Sequence, residues 1–407
     1  MAPHDPRPRA LDRRLIAVGA VLVEVGLGGA YAWSVFRPAL SDAFGWSISE
    51  VTVTFTVFVL VAGFTSVVGG LWLRRSGPQR VLLASGLLYG GGIALASRSG
   101  GHLWLLYLTY GVLGGAGMGL GYVVPIAVLQ RWFPDRRGLI NGIAVCGIPG
   151  GALLAAPIAE WLISRIGVLD TFLVLGLVYA VVIVGASALV REAPAPSQVA
   201  ENAPEGGRDL GAALRTRQWW VLWATFLLSV SAGVGLISEA APMAREIGGI
   251  GPGAAAGVVS AAFVGDAAGR LLWPWASDLL GCRTVMVLIF VAQAAALTAL
   301  ALASSYLAFA LLAALILFNY GGSSGIMAPF VTELFGPAHV GAIYGLMLTA
   351  WGIGGVAGPL LIATTRETSG SYNGALWILA AIMAIGALLP FSLRRPSALA
   401  LEPSKRA

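Results

Sequence analysis

Long apolar runs, repeated about a dozen times, constrain this chain more than any other feature. A helix needs about 20 apolar residues to cross the hydrocarbon core of a bilayer, and a backbone in lipid must satisfy its own hydrogen bonds. Only 11% of the 407 residues are charged, against about 25% in soluble domains. The pattern predicts an all-α membrane protein with twelve transmembrane helices at 15–36, 51–73, 80–98, 103–129, 138–163, 168–190, 218–241, 253–277, 284–303, 306–331, 340–363 and 373–393.

Positive charge is divided unevenly between the two sides of the predicted bundle. Nineteen of the 25 lysines and arginines fall in the tails and loops on the side that contains both termini. Because positively charged loops stay in the cytoplasm, both termini are predicted to be cytoplasmic, in a multi-pass protein of a bacterial-type inner membrane. These loops account for the net charge of +6, so no nucleic-acid partner is expected.

The two halves of the sequence resemble each other. Gly77 and Gly281 are 204 residues apart, as are Pro125 and Pro329. A polar stretch rich in Pro, Glu, Gly and Arg separates the halves and predicts a flexible linker. Such a repeat is typical of transporters with a substrate site near the midplane. The predicted domains are a six-helix bundle at 1–190, a cytoplasmic linker at 191–217, a second six-helix bundle at 218–393 and a cytoplasmic tail at 394–407.

Two charges interrupt the eighth predicted helix. A charge at the centre of a membrane helix costs about 2.5–3.5 kcal/mol on insertion scales. Asp266 and Arg270 are four residues apart, which places them on one helix face within pairing distance. One interpretation is an internal ion pair that stabilises the fold. The other, which we favour, is a substrate and proton site, the usual role of ionisable groups inside a membrane.

Other polar side chains fall in the helices predicted to be central. Tyr31 and Tyr122 could each donate a phenol hydrogen bond to a substrate, and Asn319 and Tyr320 could do the same. For each tyrosine the alternative is a packing aromatic ring whose hydroxyl finds a neighbour. Glu24, inside the first predicted helix, is either a second proton-coupling group or a hydrogen-bonding residue of the bundle interior.

Tyr344 and Trp351 are candidates for lining a cavity. The three histidines are scattered over the tail and loops, and both cysteines lie in or beside apolar runs. This distribution matches no metal-site or disulfide pattern, so we expect no metal and no cofactor.

The segment Gly321-Gly322-Ser323-Ser324-Gly325 fits the G-x-S-x-G pattern of hydrolases, and an acid and a histidine follow it at Glu333 and His339. The hydrolase pattern requires a turn from a strand into a helix. Here it lies inside an apolar predicted helix, and the two partners lie beyond the end of that helix. We therefore predict that the protein is not an enzyme.

Two loops resemble the signature between the second and third helices of the major facilitator superfamily. The C-terminal copy, residues 277–283 (Ser-Asp-Leu-Leu-Gly-Cys-Arg), has the acid, glycine and basic residue of the signature at Asp278, Gly281 and Arg283. The N-terminal copy, residues 70–80, has Arg74 at the position of the usual acid. The resemblance implies twelve helices in two pseudo-symmetric halves and a gating role for Asp278, Gly281 and Arg283.

Residues 132–138 (Trp-Phe-Pro-Asp-Arg-Arg-Gly) and 344–352 (Tyr-Gly-Leu-Met-Leu-Thr-Ala-Trp-Gly) closely resemble the oxalate/formate antiporter family, which borders on the monocarboxylate transporters. The Asp266/Arg270 pair is similar to the monocarboxylate-transporter pattern. That resemblance implies that Arg270 binds the substrate carboxylate and that Asp266 takes part in proton coupling. Oxalate exchangers carry a lysine in helix 11, and the absence of lysine there favours a monoanion.

The sequence thus predicts a secondary active transporter of small monocarboxylates (the lactate, pyruvate, acetate or formate class) that works by alternating access with proton symport. A substrate that competes for Arg270 would leave Asp266 in a low-dielectric site, where its protonated form is favoured. The alternatives are an oxalate/formate-type anion exchanger and a non-transporting anion sensor. The predicted partners are a small organic anion, protons and the lipid bilayer, and the protein is expected to be a monomer.

Overall fold

The computed structural model describes residues 10–133, 136–192, 207–248 and 252–393, and these residues are almost entirely helical. The tail 394–407, residues 193–206 of the predicted linker, and residues 134–135 of the antiporter-like segment lie outside this description. The α-helices are α1 Ala10–Gly28, α2 Trp33–Phe44, α3 Ile48–Leu95, α4 Leu103–Leu106, α5 Gly115–Trp132, α6 Arg137–Val145, α7 Gly147–Ser187, α8 Leu210–Leu214, α9 Arg217–Gly248, α10 Pro252–Leu280, α11 Cys282–Ala301, α12 Tyr306–Phe335, α13 Val340–Ser369 and α14 Asn373–Gly386. Three 3-10 segments, Gly29–Ala32, Ala96–Arg98 and Leu389–Ser392, and a π-helix, Tyr107–Gly114, complete the described elements.

Twelve membrane spans can be counted in the described chain. Nine of its helical stretches are long and apolar enough to cross a bilayer. The helices α3 and α7 each supply two spans, because their backbones turn at Gly77 and Gly167. The 29-residue helix α10 supplies the remaining span.

The turns between spans repeat from one half of the chain to the other. Gly77 and Gly281 have φ values of 74° and 83°, and Gly167 and Gly370 have φ values of 81° and 75°. Positive φ is accessible to glycine and rarely adopted by other residues, so equivalent turns use equivalent glycines. The helices form two pseudo-symmetric halves of six spans each, α1–α7 and α9–α14.

The first predicted helix differs from the observed one in continuity. The chain remains helical beyond position 36, to Phe44, but a 3-10 turn at Gly29–Ala32 separates α1 from α2. Consecutive glycines at 28 and 29 lower the helix propensity locally. The Tyr110 hydroxyl also donates to the Ala30 carbonyl at 3.4 Å, so the turn gains a partner outside the regular helix pattern.

The outward faces of the helices are apolar, as a lipid environment requires. Val181 is 72% exposed, and large aliphatic side chains such as Leu177 and Leu311 are also exposed. Lipid tails would cover these faces, because the hydrocarbon core contains no water to solvate polar groups. The ionisable side chains Glu24, Asp266 and Arg270, which lie within the spans, are by contrast buried.

The two halves meet through glycines packed against backbone carbonyls. In α6, Gly138 and Gly142 lie against the carbonyls of Pro274 and Arg270 in α10. In the pseudo-equivalent contact, Gly345 of α13 lies against the carbonyl of Ser66 in α3. Small residues permit this close approach of membrane helices, and the contact places Arg270 beside the interface between the halves.

Candidate substrate site between the two halves

A cavity lies between the halves and is lined by residues of both. The space free of protein atoms in and around it is about 430 Å³, a volume that includes open solvent. Its wall is mostly apolar, as in other small-molecule sites. The polar and aromatic-polar residues of the wall are Tyr31, Ser66, Tyr122, Arg270, Ser324 and Trp351.

Arg270 lines this cavity and is paired with Asp266 of the same helix. Nε of Arg270 lies 3.0 Å from Oδ2 and 3.1 Å from Oδ1 of Asp266, and each residue is only 3% exposed. Among the described residues, Nε is the one nitrogen of Arg270 that donates to a protein acceptor. The two terminal Nη groups are therefore left to donate to a ligand in the cavity, and a guanidinium can offer a carboxylate two parallel hydrogen bonds.

The ring of Tyr320 packs against the guanidinium of Arg270. The Cζ atom of Arg270 lies 5.7 Å from the centroid of the Tyr320 ring, within the range of a cation–π contact. The Tyr320 hydroxyl accepts a hydrogen bond of 3.1 Å from Nε1 of Trp351. Tyr320 is buried, so the structure places it behind the arginine, whereas Tyr31 and Tyr122 lie in the cavity wall.

Glu24 is fully buried in α1, close to the arginine. Its Cβ packs against Gly147 of α7, and Arg270 is near enough for its charge to act on the carboxyl group. Neither carboxyl oxygen of Glu24 has a hydrogen-bond partner among the described residues. Because an unpaired buried carboxylate is very costly, the uncharged acid is the form that suits this position.

Two of the other candidates lie outside the cavity wall. Asn319 is fully buried, and its amide has no hydrogen-bond partner in the described part of the chain. Tyr344 is also buried, with its ring centroid 6.5 Å from that of Tyr122. Asn319 therefore does not touch the space that Arg270 faces, and a direct substrate contact from it would require a rearrangement of α12.

Ser66 and Ser324 line the cavity and were not among the predicted residues. Ser66 could have been found from the repeat, because it precedes Arg270 by 204 residues, the spacing of Gly77 and Gly281. Its Oγ lies 2.6 Å from the Gly63 carbonyl and 2.7 Å from the Gly345 carbonyl, so it joins α3 to α13. Ser324 had no comparable signal in the sequence.

Ser323, the central serine of the G-x-S-x-G segment, lies inside α12. Its hydroxyl accepts from Ser229 at 2.7 Å and donates to the Tyr320 carbonyl at 2.9 Å. The G-x-S-x-G nucleophile elbow requires a strand-to-helix turn, and this backbone is helical on both sides of the serine.

One end of the interface between the halves is closed by a cluster of hydrogen bonds, which we call the seal. The Asp278 carboxylate accepts from the backbone N–H groups of Gly138 at 2.9 Å and Leu139 at 3.0 Å. Nδ2 of Asn141 donates to the Gly325 carbonyl at 2.6 Å. The first N–H groups of a helix lack partners within it and carry a partial positive charge, so Asp278 of one half caps α6 of the other.

The other two signature residues act within the second half. Gly281 precedes the first residue of α11 and has a positive φ of 83°. Nη2 of Arg283 donates to the Phe391 carbonyl at 2.7 Å, which ties α11 to the segment after α14. The structure thus places Asp278 in the seal, Gly281 in the turn between α10 and α11, and Arg283 in the first turn of α11.

Removal of the Asp278 carboxylate should open the seal. The variant Asp278→Ala leaves two backbone donors without an acceptor, and a charge-assisted hydrogen bond contributes about 1.5–3 kcal/mol. Spin labels at the exposed positions Arg136 and Leu279, with both cysteines replaced by serine, should report a longer and broader distance distribution. Asp170→Ala, which removes an exposed acid of α7, should leave the distribution unchanged; an unchanged distribution in Asp278→Ala would exclude a role in closure.

The comparisons with known proteins agree with this architecture. The model of the Major Facilitator Superfamily matches residues 20–249 and 228–407. The chain belongs to the major facilitator superfamily. Among solved major facilitators, the fucose transporter FucP in its outward conformation has a TM-score of 0.71 at 15% identity, over 93% of this chain and 98% of that one. This confirms the fold of twelve spans that the sequence predicts.

Three proteins with which this chain shares 25–30% sequence identity are transporters by name. The uncharacterized MFS-type transporter YhjX of Escherichia coli is 30% identical over 84% of this chain and 86% of that protein. The oxalate:formate antiporter of Oxalobacter formigenes is 28% identical over 83% of this chain and 81% of its own length. Monocarboxylate transporter 13 of Rattus norvegicus is 25% identical over 87% of this chain and 82% of its own length.

Proposed function

We propose that this major facilitator carries small monocarboxylates across the membrane together with protons. The observation that carries the proposal is the state of Arg270, whose Nε is engaged by Asp266 while both Nη groups remain available at the cavity wall. A planar, permanently charged guanidinium with two free donors suits a carboxylate better than it suits a neutral solute. The names of two relatives, an oxalate:formate antiporter and a monocarboxylate transporter, support the same substrate class.

Proton coupling follows from the charge of the site. With the cavity empty, Asp266 neutralises Arg270. A monocarboxylate that binds the Nη groups shares the positive charge of Arg270 with Asp266, and protonation of Asp266 relieves the repulsion between the two buried anions. The loaded site then contains one cation, one substrate anion and a neutral acid, and an occluded site with no net charge is the least costly to carry across a low-dielectric medium.

Glu24 is the second candidate for the proton. Its carboxyl group is buried without a hydrogen-bond partner in the described chain. To take up the proton, Glu24 would have to be a carboxylate in the empty site, and with Asp266 still paired the loaded site would have a net charge of −1. Proton uptake by Asp266 leaves the loaded site neutral, so Asp266 is the favoured group. Tyr31 and Tyr122 supply phenol groups to orient the substrate.

We place both termini in the cytoplasm of a cell with a bacterial-type inner membrane. The arginine-rich loops support this orientation, and the seal would then close the cytoplasmic side. We retain the predicted domains, 1–190 and 218–393, joined by a linker at 191–217 and followed by a tail at 394–407. The positive-φ glycines at equivalent turns support this division, and a monomer is sufficient because the cavity is formed within one chain.

Anion exchange of the oxalate/formate kind is the second candidate function. It is favoured by the 28% identity with the oxalate:formate antiporter over 83% of the chain. An exchanger would bind its substrate through Arg270 in the same way. Its binding site, however, would return to the other side of the membrane only with a substrate bound. A dianion such as oxalate would meet a single free guanidinium here, so formate or another monoanion is the expected partner.

Purified protein in liposomes should distinguish symport from exchange. Labelled formate, acetate, lactate and pyruvate are offered to vesicles that are alkaline inside, and the same vesicles are tested for counterflow with unlabelled acid. A symporter should accumulate its substrate about tenfold for each unit of pH difference, since one unit corresponds to about 1.4 kcal/mol. Liposomes with Arg270→Ala protein correct for diffusion of the neutral acids. Counterflow without gradient-driven uptake indicates exchange, and binding without either indicates a sensor.

A further inference from the structure

Among the serines and threonines of the helix interiors, Ser324 and Thr54 of α3 are the two whose hydroxyl oxygen has no hydrogen-bond partner among the described residues, and of these two it is Ser324 that lines the cavity. Inside a membrane helix, a hydroxyl commonly donates to the carbonyl three or four residues earlier. Ser323 and Thr332 of the same helix do so, to the carbonyls of Tyr320 and Ala328. Ser324 is 3% exposed, and its Oγ has no hydrogen-bond partner within the described residues. A buried polar group without a partner requires an explanation.

The position of Ser324 suggests what this partner is. Ser324 lines the same cavity as Arg270. It lies four residues after Tyr320, and therefore on the helix face from which Tyr320 contacts the guanidinium. Its neighbours Gly321 and Gly325 pack against the backbones of Asp266 and Arg270, so this turn of α12 runs alongside the turn of α10 that carries the ion pair.

The spacing between Tyr320 and Ser324 along α12 suits a very small ligand. Residues four apart in a helix are separated by about 6 Å along its axis, so Ser324 lies about one helical turn from the contact between Arg270 and Tyr320. A carboxylate bound by the Nη groups of Arg270 would direct its C2 substituents along the cavity wall. A hydroxyl can both donate and accept, so serine can pair with a keto oxygen or with a hydroxyl at C2.

We infer that the Ser324 hydroxyl forms a hydrogen bond with the oxygen at C2 of the substrate. This transporter then prefers 2-hydroxy and 2-oxo monocarboxylates to unsubstituted ones. The inference rests on the proposed function, because Arg270 must hold the carboxylate. An acid without the C2 oxygen leaves the buried hydroxyl unpaired, and such a site rejects the analogue more strongly than an apolar pocket would. The preferred substrates are then glycolate, lactate and pyruvate, ahead of acetate and propionate.

The test compares acids of equal length in proteoliposomes with an imposed pH gradient. Initial uptake of labelled L-lactate and propionate is measured for the wild-type protein, corrected with Arg270→Ala liposomes. The wild-type protein should prefer lactate about tenfold, the ratio expected from one buried hydrogen bond. In Ser324→Ala the ratio should fall to within about twofold of unity while propionate uptake is maintained, which also shows that the variant is folded.

Two further variants make the result specific. Ser323→Ala removes the adjacent hydroxyl, which is already bonded within the protein, and should keep the lactate preference. Ser324→Thr retains a hydroxyl at the same position and should keep most of that preference. A wild-type protein that transports lactate and propionate equally, or a Ser324→Ala protein that still prefers lactate, overturns this inference but leaves the proposed function intact. If neither acid is transported, the inference about Ser324 fails, and uptake of formate and acetate in the same vesicles decides whether the proposed function fails with it.

Discussion

Replacing Arg270 with alanine should abolish carboxylate transport. The variant loses both Nη donors that face the cavity, and each hydrogen bond to a charged group contributes about 1.5–3 kcal/mol. Two such bonds correspond to a loss of at least about a hundredfold in substrate affinity. Asp266 would also lose its 3.0 Å partner, and a buried acid would then face an incoming anion without a compensating cation. Uptake of labelled lactate or formate into proteoliposomes should fall to that of protein-free vesicles.

Two variants define what the arginine contributes. Arg270→Lys retains the charge but replaces the planar donor fork with a single ammonium group. It should therefore keep residual transport with affinity lowered by about tenfold or more. Arg366→Ala removes a guanidinium of α13 that lies over the Tyr372 ring, 5.3 Å from its centroid, and should transport normally. Wild-type uptake by Arg270→Ala would exclude this residue from the substrate site.

Asp266→Asn should separate substrate movement from proton movement. Asparagine still offers an oxygen to Nε of Arg270 but cannot take up a proton. Counterflow between labelled and unlabelled acid should continue at a rate within about threefold of wild type. Gradient-driven accumulation should fall from about tenfold per pH unit to about unity, because the gradient no longer supplies its ~1.4 kcal/mol.

The matched variant Glu24→Gln decides between the two acids. If Asp266 alone carries the proton, Glu24→Gln accumulates substrate as the wild-type protein does. If Asp266→Asn continues to accumulate substrate and Glu24→Gln does not, the proton belongs to Glu24. Unchanged accumulation in both variants would remove proton coupling from this pair of carboxyl groups altogether.

The fold was predictable because hydrophobicity over about 20 residues is a strong signal. The twelve spans follow from it. The pairing of Asp266 and Arg270 follows as well, because two opposite charges four residues apart in an apolar helix stabilise each other. The break at Gly29–Ala32 and the π-helix at Tyr107–Gly114 were not predicted. They depend on local hydrogen bonds, such as the one from Tyr110 to Ala30, which only the packed structure reveals.

The site was predictable only where a residue is unusual for a membrane helix. Arg270, Asp266 and Glu24 attract attention as ionisable groups in apolar surroundings, and Tyr31 and Tyr122 follow from their polar rings. Asn319 and Tyr320 could not be separated by sequence, although one residue rotates the side chain by about 100° around the helix. That rotation brings the Tyr320 ring into contact with the guanidinium of Arg270 and leaves Asn319 outside the cavity wall. Ser324 was missed because serine is unremarkable in a helix until its missing partner is seen.

The carbonyl that Asn141 binds belongs to Gly325, the residue directly after Ser324. Opening the seal would therefore disturb the same turn of α12 that we propose borders the substrate. Affinity and accessibility are then reciprocally linked, since a ligand that stabilises one arrangement of the turn also selects the face to which it is released. A solute that leaves this turn undisturbed could bind tightly without being transported across the membrane.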